Sequence, residues 1–72
     1  MLNVVIIGAG QVGQYIAQIL SREDHNVIVV DKDSKKLESL SSTMDVGTKI
    51  GSGTDWQLLD ELLDIDPDFL IA

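Results

Sequence analysis

"VVIIGAGQVG", residues 4–13, decides how this chain is read. A β-branched, nearly continuous apolar run reaches Gly8, Gly10 and Gly13, and apolar residues then recur at helical spacing. The run, taken over Leu2–Ile7, has the character of a strand buried on both faces. In the helix that follows, Val12, Ile16, Ile19 and Leu20 are expected on the buried side and Gln11, Gln14 and Gln18 on the wetter side. A turn so bare, between a strand and a helix, leaves its backbone open to something else.

The rest of the chain extends the same alternation. "NVIVVD", residues 26–31, is a second strand. The segment "KDSKKLESLSSTMD" predicts a helix from about Ser34, capped by Asp33 or Ser34, with Leu37, Leu40 and Met44 inward. "VGTKI", residues 46–50, is a third strand, weakened by Gly47, and "GSGT", residues 51–54, is a loop. Thr54 and Gln57 form a capping-box pattern that opens a helix carrying Leu58, Leu59, Leu62 and Leu63. Asp66-Pro67 stops that helix, and "FLIA", residues 69–72, begins a fourth strand.

The order β-α-β-α-β-α-β, with short connections, predicts an α/β fold with a parallel sheet and right-handed crossovers. The strand order for such a half-sheet is 3-2-1-4. The fourth strand then lies against the first and its outer edge is bare. Edges of that kind are normally covered or paired, so the chain reads as truncated after Ala72, or as completed by another chain.

Composition narrows the function classes. A chain of 72 residues with 44% hydrophobic content and one proline reads as one small globular domain or part of one. The longest apolar run, Val4–Ile7, is far short of the roughly 20 residues of a membrane helix, and Met1 leads into it with no charged n-region or cleavage site, so secretion is not expected. The absence of cysteine excludes disulfides, thiolate metal sites and cysteine nucleophiles. A net charge of −7 fits neither nucleic acid nor an anionic membrane surface. A cytoplasmic setting is the expectation.

"GAGQVG" has the form G-x-G-x-x-G, placed after a strand and at the opening of a helix. Gly8 permits the tight turn, Gly10 lets a pyrophosphate reach the backbone, and Gly13 lets the helix pack close to the strand. No Ser, Thr, Asp or Asn stands at the helix start, so its leading N–H groups are left for phosphate oxygens. Asp31 ends the second strand about 20 residues after the glycines, where a Rossmann-like sheet carries its ribose-binding carboxylate. That charge would repel a 2′-phosphate, which favours NAD(H) over NADP(H). The loop "GSGTD" lies at the same end of the sheet, with room for an adenine ring and with Ser52 or backbone groups for polar contacts. Thr54 there is equally a plain helix cap.

Taken together, "VVIIGAGQVGQYIAQIL", "VIVVDKD", "GSGTDWQLLDELL" and "DPDFLIA" resemble the N-terminal nucleotide-binding part of the RCK/KTN (TrkA-N) domain, most closely in the regulators of Trk-type potassium uptake. Residues 1–72 would then be the N-terminal part of one such domain. The resemblance implies binding of NAD(H), or of ATP or ADP, by Gly8, Ala9, Gly10, Gln11, Val12 and Asp31, with Ser52 facing the adenosine; Gly13, Lys32, Gly53 and Thr54, beside them in the sequence, complete the candidate cofactor-binding set. It also implies a homo-oligomer that controls a membrane potassium transporter from the cytoplasmic face without entering the membrane. The family often has an acidic or amide residue where Ser52 stands.

Other features read as structural. His25 is expected to be a solvated turn residue, since no second histidine or cysteine exists to form a metal site with it. Asp60, Glu61, Asp64, Asp66 and Asp68 read as a solvated face. Trp56 reads as a packing or partner-facing residue. Lys32 either meets a phosphate or the adenine edge, or is merely exposed. The alternative function is the cofactor half of an NAD-dependent oxidoreductase, which would need a substrate domain with its own proton donor.

Overall fold

The computed structural model describes residues 1–52 and 56–71. Strands and helices alternate as β1 (Asn3–Ile7), α1 (Gln11–Arg22), β2 (Asn26–Asp31), α2 (Ser34–Thr43), β3 (Gly47–Ile50), α3 (Trp56–Leu63) and β4 (Phe69–Ile71). The strands form one parallel sheet in the order β3-β2-β1-β4, so the expected Rossmann-like α/β topology is the observed one.

Register explains why β1 is apolar from Val4 to Ile7 and β2 from Val27 to Val30. Val4 pairs with Val27 and Ile6 with Val29, while Val5 pairs with Ile28 and Ile7 with Val30. Alternate residues point to opposite faces. Val4, Ile6, Val27 and Val29 pack with Ala9, Ala17, Leu37 and Leu40 under α1 and α2. Val5 and Val30 pack with Leu58 and Leu62 of α3 on the other face. With helices on both faces, the middle of each strand is apolar and its polar residues, Asn3, Asn26 and Asp31, stand at the strand ends.

The α1 interface differs from the expected one. Its buried face runs through Ala17, with Ile16 and Leu20 partly covered, whereas Val12 is 73% and Ile19 41% exposed. Small residues take the contact because α1 lies very close to the sheet. A Cβ on Gly13 would collide with the Gly8 carbonyl oxygen and stand 3.3 Å from Ile6 Cγ2. In α3, Leu58 and Leu62 are buried one turn apart, but Leu63 turns to solvent, about 100° further round the helix.

Several ends are also corrected or sharpened. β1 starts at Asn3 and β3 at Gly47, each one residue later than expected. Asp33 is the α2 cap: its Oδ1 accepts from the Lys35 and Lys36 amides at 3.0 and 3.4 Å. The proposed Thr54 cap falls on residues outside those described, as does Ala72. His25 is not a freely solvated turn residue. Its Nδ1 accepts from the Leu2 amide at 3.0 Å, and its Nε2 lies 3.5 Å from Glu23. Among the described residues, no helix is long and apolar enough to cross a membrane. The turns after β1, β2 and β3 all emerge at the carboxyl end of the sheet, where the candidate site lies.

Candidate functional site

The turn between β1 and α1 is pinned residue by residue. Gly8 has φ +111°, the conformation that favours glycine, and its amide donates to the Val30 carbonyl at 2.7 Å. The Ala9 amide donates to Asp31 Oδ2 at 2.7 Å. The Ala9 carbonyl accepts from Gln14 Nε2, also at 2.7 Å. Gly10 is the N-cap of α1, extended at φ −73° and ψ −178°, with no side-chain cap.

Beyond that point the backbone is open. The first intrahelical bond is from the Gln14 amide to the Gly10 carbonyl at 2.9 Å. The amides of Gly10, Gln11, Val12 and Gly13 have no acceptor among the described residues. A Cβ built on Gly10 would meet nothing within 4 Å. Unpaired donors at the positive end of a helix suit an anion. Gly10 and Gln11 are exposed to receive one. Ala9 differs from Gly10 and Gln11: its side chain is fully buried and its amide already has a partner.

Asp31 faces this turn from the end of β2. Its Oδ1 accepts from the Asp33 amide at 2.8 Å while Oδ2 holds Ala9. These two backbone bonds, Ala9 first, hold its carboxyl below the usual carboxylate range, helped by the Lys36 charge and opposed by partial desolvation. A carboxylate offers about four acceptor positions, so capacity remains on both oxygens for the hydroxyls of a vicinal diol. The residues present therefore fit a phosphate-bearing ribonucleoside: open amides for the phosphate and an ionised acceptor for the sugar.

The third wall is tied to the second. The Gly51 amide donates to the Asp31 backbone carbonyl at 3.0 Å, which puts half-buried Ser52 at the same end of the sheet. Gly53 and Thr54 lie outside the described residues. Lys32 is exposed at the rim. Three of the chain's five basic residues, Lys32, Lys35 and Lys36, cluster in the stretch just after Asp31. Asp31, Asp33 and Glu38 in the same stretch balance their charge.

Gln14 is the residue that sequence reasoning missed. Its place among Gln11 and Gln18 suggested a solvated face, and only the fold shows its side chain turning back to Ala9. Two other concave regions lie away from the seat. One, of about 330 Å³, is at the amino end of the sheet beside Asn3, His25, Asn26 and Asp45. The other is an apolar groove between Trp56, Leu63, Pro67 and Leu70. Among the described residues, no group of three or more histidines and acids is arranged to hold a metal.

Comparison with known proteins bears on the whole of this architecture. The TrkA-N domain model matches residues 4–70. The chain is 38% identical over 71 residues to the Trk system potassium uptake protein TrkA of Halomonas elongata, and 32% identical over 71 residues to that of Haemophilus influenzae. Each match covers 99% of this chain and 16% of the relative. The Streptomyces coelicolor protein of the same name is 35% identical over 60 residues, covering 83% of this chain and 27% of its own length. The chain thus spans a small part of the relatives it matches.

Proposed function

This chain belongs to the TrkA-N domain family, and from that premise we propose that it is a nucleotide-binding regulatory module of a potassium uptake system. It is the N-terminal part of one nucleotide-binding domain and binds NAD(H), or ATP or ADP, at the carboxyl end of its sheet. The bound state is passed to a membrane potassium transporter from the cytoplasmic side through a homo-oligomeric assembly. The reading treats the module as a sensor without catalysis of its own, in keeping with the names of the relatives.

One observation carries the nucleotide reading: four consecutive helix-leading amides, Gly10 to Gly13, stand without acceptors among the described residues, beside an ionised Asp31. In the bound state the Gly10, Gln11, Val12 and Gly13 amides take the phosphates. Gly8 shapes the turn, and Ala9 locates it against Asp31. Asp31 takes the ribose hydroxyls, and Lys32, Ser52, Gly53 and Thr54 border the adenosine. A dinucleotide supplies the two joined phosphates and the sugar that these groups are suited to hold. Regulation further requires that the ligand bind two conformations of the assembly unequally, since equal binding shifts nothing.

The test is calorimetric titration of NADH, NAD, ATP and ADP into the chain, with the oligomer mass measured alongside. Saturable binding of at least one of them at one site per chain supports the proposal. Binding of none refutes it.

A further inference from the structure

The inference drawn here deepens the nucleotide reading and rests on it. It concerns how the Gly10 amide is aimed. Ala9 lies between two peptide groups. The first carries the Ala9 N–H, which Asp31 Oδ2 accepts at 2.7 Å. The second carries the Ala9 carbonyl and the Gly10 N–H, and here Gln14 Nε2 donates to the carbonyl at 2.7 Å. A carbonyl oxygen only accepts, so the Gln14 atom facing it is the NH2 group.

A trans peptide is planar, with its C=O and N–H pointing in opposite directions. With the Ala9 carbonyl drawn to Gln14, the Gly10 N–H points the other way, to the side where no described residue supplies an acceptor. Rotation of that one group would replace the donor with a carbonyl oxygen and turn a seat for an anion into a repulsive surface. The rotation turns ψ of Ala9 and φ of Gly10, and glycine restrains its half less than any other residue, so a side-chain bond to the Ala9 carbonyl adds restraint where the Gly10 backbone supplies little. We infer that Gln14 is a positioning residue that, with Asp31, locks the peptide groups on either side of Ala9 and holds the Gly10 amide toward the phosphate.

The experiment uses the isotope-labelled chain without nucleotide, as wild type, Gln14→Met and Gln14→Glu. Methionine keeps length and helix propensity but donates nothing; an ionised glutamate of the same shape repels the carbonyl. In the wild type, the Gln14 side-chain NH2 protons should exchange slowly with solvent and show proximity to Ala9. In both variants the Gly10 amide resonance should shift and broaden, Glu more than Met, with the urea unfolding midpoint little changed. NADH affinity should fall at least ten-fold. An unaltered Gly10 amide in both variants, or rapid exchange of the wild-type NH2 protons, overturns the positioning role even if affinity falls. A Gly10 amide that responds in a chain binding none of the nucleotides upholds the positioning role and refutes the nucleotide reading instead.

Discussion

The Asp31 carboxylate accepts the Ala9 amide proton at 2.7 Å across 22 residues of sequence. It thereby joins the end of β2 to the turn that opens α1. With its second oxygen on the Asp33 amide, the same side chain braces two walls of the candidate site. A residue read from sequence as a ligand for ribose is therefore also part of the free protein's own framework.

That bond has a pH signature. The Ala9 and Asp33 amides lower the folded-state pKa of Asp31. Its ionised form thus adds stability that is complete above the unfolded value of about 3.9 and is lost as pH falls through the lower folded value. The stability difference between wild type and Asp31→Asn should be greatest near neutrality and vanish in strong acid. Thermal melts between neutral and strongly acidic pH measure it, and the Ala9 amide resonance should titrate below the usual carboxylate range.

The two glycines of the helix start should separate packing from binding. In Gly13→Ala the new methyl runs into the Gly8 carbonyl oxygen, and overpacking of this kind costs about 1–3 kcal/mol. In Gly10→Ala the methyl meets no described residue within 4 Å. Urea denaturation should place its stability within about 1 kcal/mol of wild type, while NADH binding is lost because the methyl occupies the phosphate approach.

How much of this was legible follows from the range of each interaction. The parallel sheet, its strand order and the α2 cap, narrowed to Asp33 or Ser34, were readable because periodicity, connection length and capping are local signals. The α1 face was misread because hydrophobicity favoured Val12 and Ile19, while the close approach of helix to sheet selected Gly13 and Ala17. The clasp on Ala9 was not legible. A glutamine among other helix-surface glutamines, and an amide 22 residues from its carboxylate, carry no pattern until the chain folds.

Helix α3 offers a test of that distinction between hydrophobicity and burial. Leu62 is 2% exposed and Leu63 62%. Leu62→Ala should destabilise by about 2–5 kcal/mol, and Leu63→Ala by no more than about 0.5 kcal/mol. Chemical denaturation of the two variants reads the orientation of the helix directly.

Asp33 gives a smaller and more local effect. Its side chain satisfies the leading amides of α2, so Asp33→Ala should cost about 1 kcal/mol. Hydrogen exchange should quicken in the first turn of α2 and remain unchanged in α3. The Asp33 amide that supports Asp31 belongs to the backbone and survives the substitution.

The most direct measurement is calorimetric titration of NADH into wild type and Asp31→Ala under identical conditions. Loss of a charged acceptor for the ribose, together with the brace on Ala9, should weaken binding by about 1.5–3 kcal/mol, on the order of 10- to 150-fold. Equal affinity in the two proteins, or no binding of NADH, NAD, ATP or ADP by the wild type, would contradict the account.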